Sequence, residues 1–297
     1  MMTMMMPSDA WDSHLHVTDP RRFPPVAGAR YRPGLHTVEE NRRFEQSIEC
    51  RHVVLVQPSV YGANNSLLLE ALEELGVERA RGVVVFHPHA VRRPLLARWH
   101  RLGVRGVRIN LVSGRADDDD HHVGLPPDHL ADLLARYVEL VKPFDWVVEM
   151  YLPMSWIPSL QTIIPRLGLR IVLDHFGHPS PTSSLHHQKQ LEETEGFTAL
   201  LRLLRQRVVW VKLSAPYRLS NASDPLYRDL DPLILRLLAD APSQLVYGSD
   251  WPHTRFEQLD IRPWTRHLLQ LTRGDAHLTR SLFRDNPRAL WDGPNRP

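Results

Sequence analysis

The residues best suited to chemistry lie in three short segments spread over the chain. The first reads Asp12-Ser-His14-Leu-His16, and two histidines two positions apart point to the same side of an extended strand. Such a pair suits a metal chelate or two hydrogen-bond donors, and on its own it suits structural histidines equally well. The second segment, Val172-Leu-Asp174-His175-Phe-Gly177-His178-Pro, and the third, Val246-Tyr-Gly248-Ser-Asp250-Trp251-Pro-His253, bring further imidazoles and carboxylates. A carboxylate beside imidazoles can take a proton from water while staying ionised at neutral pH. The imidazoles can then stabilise charge developing on a carbonyl oxygen, as donors or through a bound cation.

Residues this far apart meet only if a fold gathers the ends of their strands. Short β-branched runs recur at 10–17, 53–59, 82–86, 104–110, 146–152, 170–176, 208–214 and 244–251. Amphipathic stretches at 37–50, 65–75, 92–102, 127–141, 157–167, 192–205 and 225–239 separate them. Thr37 and Asn65 stand where helix N-caps belong, Pro127 fits a first helical turn, and Gly76, Gly103 and Gly168 fit helix ends. Eight βα repeats predict an α/β fold, a (β/α)8 TIM barrel built as one domain over 10–297 after a frayed 1–9. A doubly wound open sheet would offer a glycine-rich phosphate turn after an early strand, and none is visible. The polar segments 18–36, 111–126 and 177–190 follow strands, which places them as long loops over the substrate-binding face.

Composition narrows the function classes. The 297 residues are 42% hydrophobic and 24% charged, with a formal charge of +2 and scattered basic residues. Neither a nucleic-acid stripe nor a membrane patch is present, and a small anionic substrate remains compatible. Lysine is confined to Lys142, Lys189 and Lys212, and Cys50 has no disulfide partner. That cysteine count and the absence of a signal segment lead to the expectation of a cytoplasmic protein, with homo-oligomerisation left open.

The phrases DSHLHV, RGVRIN, VLDHFGHP and VYGSDWPH, with a closing NPRALW, resemble the amidohydrolase-related family (amidohydrolase 2 type), in the branch of dicarboxylate and sugar-acid lactonases. The resemblance runs from about residue 10 to 291. It implies a hydrolase opening a small, carboxylated lactone, with His14, His16 and His175 around the scissile carbonyl and Asp250 as general base for water. It further implies that Arg108 of RGVRIN binds a substrate carboxylate and that Arg218 of KLSAPYRL binds a second; a guanidinium fork fits that task. Ser59, Tyr151, His178 and His253 complete the expected substrate contacts, with Tyr61, Tyr31 and Arg32 as weaker candidates. The dicarboxylate lactonases tend to carry arginine where this chain has His178, so a less anionic ring is compatible.

The expected cofactor is one divalent metal ion on His14, His16, His175 and Asp250, with zinc the first choice, or none. Binuclear relatives use a carbamylated lysine on the fourth strand; 104–110 has no lysine and 146–152 no histidine, which argues against two metals. Asp117–Asp120 with His121 and His122, and the pair His186 and His187, read as solvated loop faces. Two other functions fit the same frame: a metal-dependent decarboxylase or other carbon–carbon lyase, and a barrel that binds a small acid without turning it over.

Overall fold

In the computed structural model, residues 5–112, 127–180, 188–272 and 274–293 are described, so the 117–122 cluster, His186 and His187 lie outside the described residues. The strands are β1 (Trp11–Leu15), β2 (His52–Val56), β3 (Ala80–Val84), β4 (Val104–Asn110), β5 (Val147–Tyr151), β6 (Ile171–Leu173), β7 (Val209–Leu213) and β8 (Leu245–Tyr247). They pair in chain order and in parallel. A bridge between Leu15 and Trp251 closes the ring, supported by His16 N donating to the Trp251 carbonyl and Asp250 N to the His14 carbonyl, each at 2.8 Å. The closing seam therefore joins the first histidine segment to the last carboxylate segment.

Around the barrel lie α1 (Val38–Ser47), α2 (Ser66–Leu75), α3 (Arg93–Arg101), α4 (Pro127–Val141), α5 (Ile157–Leu160), α6 (Ile164–Leu167), α7 (Phe197–Arg205), α8 (Asp231–Asp240), α9 (Arg262–Leu271), α10 (Ala276–Arg280) and α11 (Asn286–Asp292). Thr37 caps α1 in a reciprocal box: its hydroxyl accepts from Glu40 N, and the Glu40 carboxylate accepts from Thr37 N. Asn65 precedes α2 without capping it, because its side chain pairs instead with both backbone groups of Val85 at the end of β3. The stretch 157–167 splits into α5 and α6, each with a proline in its first turn. The stretch 192–205 breaks at Gly196, whose φ of +84° and close approach to the Met154 backbone exclude a side chain.

Inside the barrel the side chains stack in layers. Trp11, Val54, Val83, Val147, Val172, Trp210 and Val246 form an apolar layer that Leu290 and Trp291 of α11 seal from below. Above it the alternation of the strands turns Arg108, Glu149 and Lys212 inward, all buried. A register shift in β1 between Asp12 and Leu15 interrupts its alternation, so that Ser13 accepts from the Trp291 indole while His14 meets Lys212. Gly248 makes room for this: a Cβ there would come within 2.8 Å of His14 Cβ.

Candidate active site

The uppermost layer gathers the three segments. His14 and His16 direct Nε2 toward Asp250 Oδ1, at 3.5 Å and 3.4 Å. The His14 ring lies 5.0 Å from His16 and 4.9 Å from His175, centroid to centroid. His175 Nδ1 is held by Ser214 Oγ at 2.8 Å, and Tyr151 packs edge-on against the His175 ring at 5.0 Å. The other oxygen of Asp250 is already engaged, accepting from the Tyr217 hydroxyl at 2.5 Å and from Arg218 Nε and Nη2 at 3.2 Å. Oδ1 is thus the oxygen left for a ligand.

Backbone strain accompanies this convergence. His175 (φ 49°), Phe176 (61°), His178 (50°), Ala215 (50°), Asp250 (60°) and His253 (61°) take left-handed conformations at the ends of β6, β7 and β8. Each costs on the order of 1 kcal/mol for a residue with a Cβ, a cost that concentrates at sites where side chains must be aimed. His175 and Asp250, expected within strands, lie just beyond them in tight turns, since β6 ends at Leu173 and β8 at Tyr247.

Burial and charge separate the protonation states. Burial drives the His175 pKa down to about 3 and holds His14 well below the usual imidazole range, so both are neutral. Burial alone would raise the Asp250 carboxyl, yet Arg218, then His175 and the histidine pair hold it well below the carboxylate range. Asp250 is ionised, with one oxygen clasped and one facing imidazoles.

A second charged set lies beneath. Arg108 donates to Asp174 at 2.9 Å and 3.1 Å and approaches Glu149 at 3.6 Å. Lys212 Nζ reaches Glu149 at 2.5 Å. Burial opposes ionisation of both carboxylates, but Arg108 pulls Asp174 well below its usual range while burial and the Asp174 charge push Glu149 up to about 8.

The cavity above Asp250 is lined by His16, Tyr31, Ser59, Arg108, Tyr151, His175 and Arg218, with Arg30, Thr254 and Arg255 at its sides. Ser59 reaches it from a short turn after β2 rather than from a strand. Two expected contacts differ in their surroundings. Arg108 lines the cavity as expected, and it arrives already paired, its Nε and Nη2 donating to Asp174. His253 turns away into a separate cavity of about 480 Å³ with His36, Phe44 and Trp251, where a donor to the substrate is of no use. Burial lowers its pKa and that of His178 to about 4. His178 packs on the Tyr151 ring at 4.8 Å. Tyr61 is a buried packing residue whose hydroxyl accepts from Asp19 N, and Arg32 is exposed.

Sequence reasoning passed over Glu149, Lys212, Ser214 and Tyr217. The first two were open to discovery: a lone charge inside an apolar strand, at the parity that faces the barrel, must find partners there.

Comparison with known proteins agrees with this geometry. The amidohydrolase family model matches residues 11–293. The chain belongs to the amidohydrolase family. It is a hydrolase of that family, and its fold is the family's barrel. It is 30% identical over 292 residues to 4-sulfomuconolactone hydrolase of Hydrogenophaga intermedia, covering 97% of this chain and 90% of that protein. To 2-pyrone-4,6-dicarboxylate hydrolase of Comamonas testosteroni the identity is 28%, covering 96% and 91%. The solved structure of a candidate 2-pyrone-4,6-dicarboxylic acid hydrolase from Pseudomonas putida superposes with a TM-score of 0.77 at 31% identity, covering 98% of this chain and all of that one. No helix among the described residues is long and apolar enough to cross a membrane.

Proposed function

We propose that this chain hydrolyses a small carboxylated lactone, with Asp250 as general base and His14, His16 and His175 polarising the ring carbonyl. The observation that carries this reading is the convergence of His14 Nε2 and His16 Nε2 on the unclasped oxygen of Asp250, which lines the cavity with His16 and His175. Water bound at Oδ1 gives up a proton to the carboxylate as its oxygen adds to the ring carbonyl carbon. The negative charge that forms on the carbonyl oxygen is met by N–H of His14 and His175, and the ring C–O bond then breaks as Asp250 returns the proton to the leaving oxygen. Relatives named for the hydrolysis of two lactones, one a sulfonated muconolactone and one a pyrone dicarboxylate, support the ring ester as the reacting group.

The substrate's charge follows from the walls. Arg30 and Arg255 stand at the mouth, and neither has a carboxylate within 4 Å among the described residues. Arg218 binds Asp250 in the resting site. A substrate carboxylate that draws the guanidinium toward itself would relax its hold on Asp250 and make the base stronger as substrate arrives.

By position, His14, His175 and Asp250 could together hold one divalent ion, and zinc is the ordinary choice for such nitrogen and oxygen donors. When bound it would supply Lewis-acid polarisation of the carbonyl. Coordination through His14 needs a bare lone pair on Nε2, an atom that has no hydrogen-bond partner among the described residues.

The test is turnover of a lactone panel by the wild type and by Asp250→Asn, with folding checked by circular dichroism. The expected result is a fall in kcat of about 10³-fold, within the range of a lost general base; undiminished hydrolysis by the variant would remove the proposed base.

A further inference from the structure

Lys212, in the middle of β7, is fully buried. Its Nζ lies 2.5 Å from Glu149 Oε2, 2.9 Å from His14 Nδ1 and 3.5 Å from Asp174 Oδ1. The Trp291 ring closes the space below at 5.3 Å. His14, Glu149 and Asp174 offer ligand atoms that all lie within 4.8 Å of one another, close enough to share one cation, and the ammonium stands among them. Asp174 is an ionised carboxylate buried in the barrel, where an unpaired charge is costly, and its Oδ1 has no hydrogen bond among the described residues, so the position favours a positive group.

An ammonium has three donors and no acceptor. At 2.9 Å from Lys212, His14 Nδ1 must therefore be the acceptor, and a neutral imidazole whose Nδ1 accepts carries its single proton on Nε2. The other groups facing Nδ1 are Asp174 Oδ1 at 3.3 Å and Glu149 Oε1 at 3.7 Å, both farther than the ammonium. His16 is arranged the opposite way: its Nδ1 lies 2.8 Å from the Val56 carbonyl, which can only accept, so its Nδ1 bears a proton. The two histidines of one short motif thus receive opposite instructions from behind.

We propose that Lys212 is the resident cation of this barrel, filling the place a metal would take among His14, Glu149 and Asp174, and that by donating to His14 Nδ1 it fixes that imidazole as an Nε2–H donor aimed at the reacting oxygen. Lys212 is a positioning residue, since it touches His14 and not the substrate. The same contact removes from His14 the lone pair a divalent ion would require. This deepens the lactonase reading and rests on His14 being a carbonyl donor.

Long-range ¹H–¹⁵N spectra of the histidine-labelled wild type, with the His14 signals assigned by loss in His14→Phe, read the tautomer without reference to activity. The expected pattern is a proton on Nε2 of His14. A proton on Nδ1 of His14, or loss of its Nε2–H signal when zinc is added to the wild type, would overturn the proposal. In Lys212→Met, kcat should fall about ten- to a hundredfold, the usual scale for a group that orients a functional imidazole, with KM changed less than about threefold. The His14 proton should then move to Nδ1, facing Asp174. Unchanged kcat together with an unchanged tautomer in that variant contradicts the assignment; if it does not fold, the wild-type spectrum decides alone. Full activity of His14→Phe would sink the lactonase role of His14 while leaving the tautomer result standing, so the two failures are distinguishable.

Discussion

Two adjacent layers of the barrel use the same residue types to opposite ends. In the lower layer Arg108, Lys212, Glu149 and Asp174 pair with one another, with Glu149 Oε1 and Asp174 Oδ1 left without a hydrogen bond among the described residues, and the apolar layer sealed by Trp291 shuts them off from below. In the upper layer Asp250 lines the cavity and keeps one oxygen unclasped, and the fully buried His14 holds its Nε2 3.5 Å from that oxygen. The difference teaches that chemistry here resides in valence that the cavity can reach and not in residue type. A carboxylate shut inside the barrel positions its neighbours, whereas one with an unclasped oxygen on the cavity can accept a proton from water. The lower layer converts buried charge into orientation for the imidazoles above it.

That contrast can be broken by leaving a lower-layer charge unpartnered. Asp174→Asn strips Arg108 of its main carboxylate and should cost about 3–5 kcal/mol in urea unfolding, the scale for breaking a buried ion pair from one side. A loss below about 1 kcal/mol would mean that the layer tolerates unpaired charge and is not the rigid base described.

The seam between the layers can be probed by pH. Asp12 accepts from His14 N at 3.1 Å and Ser249 N at 2.9 Å, and so ties both ends of the site together. Burial raises its pKa from 3.8 to about 6. A carboxyl with a raised folded pKa lends stability that is complete below its unfolded pKa and is lost as pH rises through the folded one. Relative to Asp12→Asn, which keeps an accepting oxygen but does not titrate, the wild type should lose roughly 3 kcal/mol between pH 4 and pH 7. A stability difference that stays flat over this interval would show that Asp12 is ionised in the fold.

The smallest effect concerns the clasp on the base. Arg218→Met should raise KM for a carboxylated lactone about tenfold, the scale of one charge-assisted contact. Because Arg218 holds Asp250 low, its loss should also move the acid limb of kcat/KM to higher pH. A limb that moves to lower pH would sever Arg218 from the base.

Much of the frame was legible in the sequence. Short β-branched runs marked all eight strands, and the segments carrying His14, His16, His175 and Asp250 converge as their positions at strand ends implied. The turns that aim them were not legible, because left-handed φ values at His175 and Asp250 fall on residue types that give no local signal for them. Arg108 was matched to a substrate role from its motif, and only the register β4–β5–β6 reveals that Asp174 is its nearest charge. Lys212 went unassigned for a related reason: its partners come from β1, β5 and the end of β6, and no spacing within β7 announces them.

The most direct test of the account is a crystal structure of Asp250→Asn soaked with a lactone that the wild type opens. The account predicts an intact ring with its carbonyl oxygen within hydrogen-bond distance of His14 Nε2, its carbonyl carbon above residue 250, and its carboxylate turned toward Arg218. A ring bound with the carbonyl pointing away from His14 and His175, or seated in the separate cavity beside His253, would contradict it.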